Sequence, residues 1–124
     1  MRGLAYFCIV SAAVYALAGM AFGIVMAASH DHTLMTAHAH LNLLGWVSMA
    51  IYGLYYHAVP RAAETRLAKI HIGVATFGLW IMIPGIAMAV LGMTEGPAIV
   101  GSILTILGML LFAARVAMAQ RAIA

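Results

Sequence analysis

Residues 29–60 read SHDHTLMTAHAHLNLLGWVSMAIYGLYYHAVP and contain the strongest structural signal in the chain. They carry five of its six histidines, and the 27 residues of 33–59 include no Asp, Glu, Lys or Arg. About 20 such residues are enough to cross the hydrocarbon core of a bilayer. We therefore expect a transmembrane helix over residues 33–59, with His38 and His40 inside it. Ionisable side chains in that position are costly and usually serve a function.

The spacing of His38 and His40 indicates two separate contacts for the two rings. Residues two apart on an α-helix are separated by roughly 200° around its axis, so the two imidazoles point to opposite sides. A metal site on one helix would favour a spacing of three or four residues. At about 1.5 Å rise per residue, both rings lie roughly 7–11 Å below the end of the span at Thr33. This helix is therefore predicted to stand between two ligand sites, or between a site and a neighbouring subunit.

The composition of the chain excludes an ordinary soluble protein. Hydrophobic residues make up 66% of its 124 residues and charged residues only 7%, and such a surface could not be solvated. The net charge of +3 does not indicate nucleic acid, because the basic residues form no patch. The single cysteine, Cys8, excludes an intrachain disulfide and a cysteine-based zinc site, and it is expected to be an inert packing residue.

The charged residues divide the chain into four hydrophobic spans. We predict transmembrane helices over residues 4–28, 33–59, 70–93 and 98–119, which makes the protein a single all-α integral membrane domain over residues 1–124. A removable signal peptide ending near Ser29 is the competing interpretation of the first span. Its apolar run is too long for the 7–15-residue core of a signal peptide, so we expect a retained helix.

The distribution of charge predicts the orientation in the membrane. Asp31 and Glu95 lie in loops without Lys or Arg, whereas the basic residues lie on the other side. They are Arg2, Arg61, Arg66, Lys69, Arg115 and Arg121. The positive-inside rule makes the basic side cytoplasmic. Both termini are then cytoplasmic, and the histidines of residues 30–40 lie on the outer, periplasmic side of what we expect to be a bacterial inner membrane.

Several side chains near the ends of the spans are predicted to lie at the membrane–water interface. His57 and His71 flank the cytoplasmic connector and are expected to cap helix ends there. Arg115 is expected to extend its side chain to the interface. Three tyrosines near the end of the second span fit an aromatic belt: Tyr52, Tyr55 and Tyr56.

Part of the chain resembles a known family. The residues that carry the resemblance are His30-Asp31, Ala37-His38-Ala39-His40 and Pro60, then Lys69-Ile70-His71, Gly78 and Pro84. The first group resembles the tenth transmembrane helix of subunit I of the haem–copper oxidases and of their nitric oxide reductase relatives. The second group resembles the helix that follows, so the likeness covers about residues 30–85.

The resemblance implies a haem site. His38 would correspond to the ligand of the high-spin haem and His40 to the ligand of the low-spin haem. His30 and Asp31 would lie above the haem propionates, near a bound divalent ion. The cofactor implied is haem b, and the activity implied is electron transfer or the binding of O₂ or NO. The sequence identifies neither a catalytic residue nor an electron donor.

The resemblance also implies an oligomer. Subunit I has twelve spans arranged as three similar four-helix arcs, and its copper site takes histidines from two other helices. This chain has no such pair of histidines in its other spans. We therefore expect it to correspond to one arc and to assemble as a homo-oligomer in the membrane lipid, with a homotrimer favoured. Facing copies of the second span would then supply two imidazoles to one haem.

Two other functions stay open at this point. The histidines of the outer side, His32 with His38 and His40, are suited to copper or zinc, with Met35 or Met26 as soft ligands. The chain is alternatively a cofactor-free assembly or structural subunit. An optical spectrum separates the haem protein from both alternatives.

Overall fold

The computed structural model describes residues 1–123 of the protein, with the side chains of residues 1–120. This part of the chain is helical and contains no strand. Three helices are long and apolar enough to cross a membrane: α1 (Gly3–Ser29), α5 (Arg66–Val90) and α6 (Gly96–Ile123). Their outer surfaces carry many exposed large hydrophobic side chains. These are the features of a multi-pass membrane protein.

The second predicted span is divided into three helical elements. They are α2 (Met35–His40), a π-helical segment (Leu41–Val47) and α3 (Ser48–Ala58), none of which is long enough to span a bilayer alone. Both junctions keep right-handed helical backbone angles, φ −58° and ψ −46° at Leu41 and φ −64° and ψ −46° at Ser48. Residues 35–58 therefore form one helix about 36 Å long, which we call the histidine helix.

The histidine helix lies antiparallel to α1, and glycines set their separation. A Cβ atom on Gly53 would lie 2.7 Å from the Ile9 side chain, and one on Gly45 would lie 2.9 Å from Tyr15. Close approach at small residues is the usual way in which helices pack in lipid, where no hydrophobic force holds them together. Gly19 and Gly23 of α1 lie at the same contact, opposite Asn42 and His38.

The helices α5 and α6 form a second antiparallel pair with the same device on both partners. A Cβ on Gly85 would meet the backbone of Ala98 at 2.5 Å, and one on Gly101 would meet the backbone of Met82 at 2.6 Å. Further along, Gly78 lies against Leu104 in the same way. Backbone contacts of this kind leave no room for a methyl group, so this pair fits together in only one register.

The loops collect at two ends of the bundle, which differ in charge. The acidic end consists of residues 30–34 and 91–95 and carries Asp31 and Glu95. The basic end consists of residues 1–2, the connector 59–65 with the short helix α4 (Pro60–Ala63), and the C-terminal part of α6. α1 is closed at this end by its C-cap residue His30, which adopts the left-handed conformation with φ 54°.

Helix boundaries differ from the predicted spans mainly at α5. The sequence places the third span over residues 70–93, whereas α5 begins at Arg66 and ends at Val90. The Thr65 hydroxyl accepts a hydrogen bond from the Ala68 backbone N–H and so provides the N-cap. Uncharged runs mark the part of a helix that lies in lipid, so they miss a first turn that carries Arg66 and Lys69.

The fit of α5 against α6 predicts opposite effects of alanine at two glycines. Gly101→Ala should lower the free energy of unfolding by about 1–3 kcal/mol, because the added methyl meets the Met82 backbone. Gly73→Ala, on the same pair but with no atom within 4 Å of its Cβ position, should raise stability by about 0.5–1 kcal/mol. Unfolding in SDS titrations measures both. Equal effects of the two substitutions would contradict this packing.

Candidate functional site

His38 bonds across the interface between the histidine helix and α1. Its Nε2 lies 3.0 Å from the Gly19 carbonyl oxygen and 3.1 Å from the Asn42 side-chain nitrogen. The ring packs edge-on against Phe22 at a centroid distance of 5.5 Å. A Cβ on Gly23 would lie 3.3 Å from the same Nε2, so the absence of a side chain there makes room for the imidazole.

The Nε2 atom of His38 is committed in either tautomer. If it is protonated, it donates to the Gly19 carbonyl; if it is not, it accepts from the Asn42 amide. Only the bond to the Gly19 carbonyl joins the two helices, because Asn42 lies one turn after His38 in the histidine helix itself. His38 therefore holds α1 to the histidine helix, and binding of a metal by Nε2 requires that these hydrogen bonds break.

His40 has the opposite arrangement of its ring nitrogens. Its Nδ1 lies 2.8 Å from the carbonyl oxygen of Thr36, one turn earlier in the same helix. Because a carbonyl only accepts, Nδ1 carries the proton, and in the neutral tautomer that this bond selects the lone pair lies on Nε2. The ring is partly exposed on the surface of the bundle. A neutral imidazole whose Nδ1–H is held by a carbonyl is the usual state of a histidine that binds a metal.

His30, Asp31 and His32 lie together in the exposed turn at the acidic end. The Asp31 carboxylate accepts a hydrogen bond from the Thr33 hydroxyl and, at 3.0 Å, from the Thr33 backbone N–H. These two bonds lower the pKa of Asp31 below its ordinary value. Asp31 therefore stays ionised at neutral pH, and the turn has a fixed shape next to the start of α2.

The described part of the chain brings together no group of three or more His, Cys, Asp or Glu side chains able to hold a metal ion. The two candidate soft ligands differ in exposure: Met26 is buried in the bundle, whereas Met35 is exposed. A copper or zinc site built on the outer-side histidines stays a prediction from the sequence.

The predicted interfacial position of His71 is wrong. This residue is 0% exposed, and its Nδ1 lies 2.9 Å from the Tyr56 hydroxyl. The ring stacks on Phe112 at a centroid distance of 5.2 Å and meets the Tyr52 ring edge-on at 4.4 Å. Because α5 begins four residues before the predicted span, His71 lies in the second turn, on the face that packs against the histidine helix. By contrast, His57 is exposed.

The predicted aromatic belt is also not formed, because these tyrosines pack in the core of the bundle. Tyr52 and Tyr56 are buried, and Tyr55 is half-buried with its hydroxyl unpaired among the described residues. The sequence does contain a signal for this burial. Met49, Tyr52 and Tyr56 follow the three- and four-residue spacing of one helix face, and all three are core residues.

The sequence predicts that Arg115 extends its side chain to the interface, but in the structure the side chain is buried. It is 8% exposed, and its Nη1 lies 3.5 Å from the Thr65 hydroxyl oxygen. Its Nε has no hydrogen-bond partner among the described residues. Arg115 lies within α6, as predicted, but its side chain faces Thr65 of the connector instead of water.

Comparisons of the chain with protein-family models, with curated proteins and with solved structures found no match. The resemblance to the haem–copper oxidases therefore stays a prediction from the sequence. The geometry of His38 and His40 is the basis on which a function can be argued.

The hydrogen bond between Tyr56 and His71 should be visible as an energetic coupling. Tyr56→Phe and His71→Phe should each destabilise by about 1–3 kcal/mol, because each leaves a buried polar atom unpaired. The double variant should be less destabilised than the sum of the two, by about 0.6–1.7 kcal/mol. SDS unfolding of all four proteins measures this coupling. Strict additivity would show that the two side chains do not interact.

Proposed function

We propose that the protein is a four-span membrane protein that binds haem b through His40, for electron transfer or for binding O₂ or NO. One observation carries the proposal. The Nδ1–H of His40 is held by the Thr36 carbonyl at 2.8 Å, inside a run of 27 residues without a charged side chain. That bond leaves Nε2 as a free, neutral ligand on a partly exposed surface.

The residues around His40 suit one axial ligand. The carbonyl of Thr36 fixes the tautomer and limits rotation of the ring, which are the tasks of an outer-shell partner. The described chain offers no cluster of three ligating side chains, so one chain presents His40 as a single ligand. A haem bound here supplies one-electron transfer when both axial positions are filled, and binding of O₂ or NO when one is open.

We propose that a second copy of the chain supplies the other axial position. The hydrogen bond of His40 is made by Nδ1 within its own helix, so Nε2 stays available to a ligand from outside the chain. Two facing histidine helices would present two imidazoles to one haem. A homo-oligomer follows from this arrangement, with a trimer as the form that the sequence favours.

His38 acts in this proposal as a positioning residue. Its bond to the Gly19 carbonyl of α1 fixes the rotation of the histidine helix against α1. Since His40 lies roughly 200° further around the helix axis, that rotation turns His40 away from α1. The haem-ligand role that the resemblance gives to His38 would require its Nε2 to leave both partners.

The turn at the acidic end is the candidate contact for the haem propionates. His30 is exposed there and has a side chain able to donate to a carboxylate. Asp31 stays ionised, because the Thr33 hydroxyl and backbone N–H donate to it and lower its pKa. A propionate would therefore approach Asp31 only with a divalent cation between the two carboxylates.

We further propose that the histidine helix also crosses the membrane, which makes four spans in all, and that both termini are cytoplasmic. Residues 35–58 are about 36 Å long as a helix, which is enough to cross the hydrocarbon core. The loops at the acidic end carry no Lys or Arg, so the positive-inside rule assigns that end to the outside.

Haem content tests the role of His40. The protein purified from cells supplied with haem should show a Soret band and split α and β bands after reduction. His40→Ala should lower the haem content roughly tenfold or more, because a ligand is lost. His57→Ala, a histidine exposed at the opposite end, is the matched control and should keep the haem of the unchanged protein.

Two results would overturn the haem proposal. One is a folded protein that stays colourless in cells and in reconstitution with haem, which would favour the cofactor-free or the copper and zinc alternatives. The other is an unchanged spectrum in His40→Ala, which would assign the ligand to another residue. A strictly monomeric protein with haem would remove only the shared site between copies.

Labelling of single cysteines tests the four-span topology. Thr33→Cys lies in the exposed turn of the acidic end, and Glu64→Cys lies in the exposed connector. In intact cells, a membrane-impermeant maleimide should label Thr33→Cys and not Glu64→Cys, whereas inverted vesicles should give the reverse. The native Cys8 is buried and should stay unlabelled in both. Labelling of both positions from the same side would exclude the histidine helix as a span.

A further inference from the structure

A hollow of about 450 Å³ opens at the basic end, away from the histidines discussed above. It lies between the connector that joins α3 to α5 and the C-terminal part of α6. Its apolar walls are Ala58, Val59, Pro60, Ala62 and Ala119. Its polar lining consists of Arg61, Thr65 and Arg115. The space thus combines an apolar wall with two guanidinium groups.

Arg115 carries a charge that the described chain leaves uncompensated. Its side chain is more than nine-tenths buried, and its Nε has no hydrogen-bond partner. The Thr65 hydroxyl oxygen accepts from its Nη1 at 3.5 Å, the limit of a hydrogen bond. A buried arginine without a hydrogen-bonded anion is strongly unfavourable, so the hollow lacks a group of opposite charge.

Thr65 cannot take over that role, since its hydroxyl is already committed. It donates its proton to the Ala62 carbonyl at 2.8 Å and accepts from the Ala68 backbone N–H at 3.3 Å as the N-cap of α5. The hydroxyl is therefore a neutral acceptor with little capacity left for Arg115.

The acidic residues of the chain do not supply the missing charge either. Asp31 and Glu95 lie at the opposite end of the bundle. Glu64 lies in the connector, but its side chain is exposed and the described residues include no ion pair between it and Arg115. Among the described residues, no carboxylate therefore compensates the charge of Arg115.

We infer that this hollow binds a phosphate group. The planar fork of Arg115 matches the oxygens of a phosphate, and Arg61 at the exposed rim adds a second cation. Thr65 is also the N-cap of α5, and the positive end of the dipole of that helix favours a negatively charged ligand. The apolar walls accept carbon chains attached to the phosphate. The source is either the headgroup of an anionic phospholipid or a soluble phosphate.

The test adds probes to the full-length protein in a neutral detergent. Dioleoylphosphatidylglycerol, dioleoylglycerol (the same acyl chains without a phosphate) and inorganic phosphate are added separately, and thermal unfolding and native mass spectrometry follow binding. Phosphatidylglycerol should raise Tm and stay bound in the mass spectrum, whereas dioleoylglycerol should do neither. A rise in Tm with inorganic phosphate alone that phosphatidylglycerol does not exceed would assign the site to soluble phosphate. Equal effects of phosphatidylglycerol and dioleoylglycerol would overturn the inference.

Two arginine variants locate the binding. Arg115→Gln should weaken the binding of phosphatidylglycerol roughly tenfold or more, because it removes charge-assisted hydrogen bonds. Arg61→Gln, on the exposed rim where folding is not at risk, should weaken it several-fold and serves if Arg115→Gln does not fold. Arg2→Gln is the matched control, an exposed arginine at the same end, and should bind as the unchanged protein does. Unchanged binding in Arg61→Gln, together with unchanged binding or no folding in Arg115→Gln, would overturn the inference.

Glu64 provides the last arm of the test. If Glu64 pairs with Arg115 in solution, Glu64→Gln should lower Tm as much as Arg115→Gln does, with no lipid added. That result would show that Glu64, and not an external phosphate, compensates the charge of Arg115. An unchanged Tm in Glu64→Gln supports the external anion.

Discussion

The close approach of helix backbones at glycines is the constraint on which the rest of the structure depends. In lipid, apolar side chains gain little by leaving the solvent for the protein interior, so helices associate through packing and hydrogen bonds. Gly53 lets the histidine helix reach α1, and Gly85 and Gly101 let α5 reach α6. These contacts fix the register of both pairs. The register in turn places His38 opposite Gly19 and Tyr56 opposite His71.

The two ends of the bundle use polar residues in different ways. Near the acidic end, His38 makes a hydrogen bond to the neighbouring helix α1, whereas His40 bonds only its own helix and keeps Nε2 available. Near the basic end, the buried Arg115 Nε and His71 Nε2 have no hydrogen-bond partner among the described residues. The proposals of an external ligand depend on two of these groups, the buried guanidinium of Arg115 and the partly exposed ring of His40.

Much of the fold could be predicted from the spacing of charged residues. The first span was expected over residues 4–28, and α1 occupies Gly3–Ser29. The start of α5 could not be found in this way, because its first turn carries charges and depends on the Thr65 cap. The opposite orientations of His38 and His40 follow from helical geometry. The burial of His71 does not, since it depends on contacts with Tyr52 and Phe112 from other helices.

The π-helical segment of Leu41–Val47 separates the histidine-bearing turn from the tyrosine-bearing turns. A π-turn accommodates one more residue than an α-turn, and each residue corresponds to about 100° of rotation around the axis. The angle between the imidazoles and the phenols around the axis therefore differs from the angle that an uninterrupted α-helix of the same sequence would give. Deletion of one residue from this segment would rotate the outer half of the helix relative to the half that packs against His71.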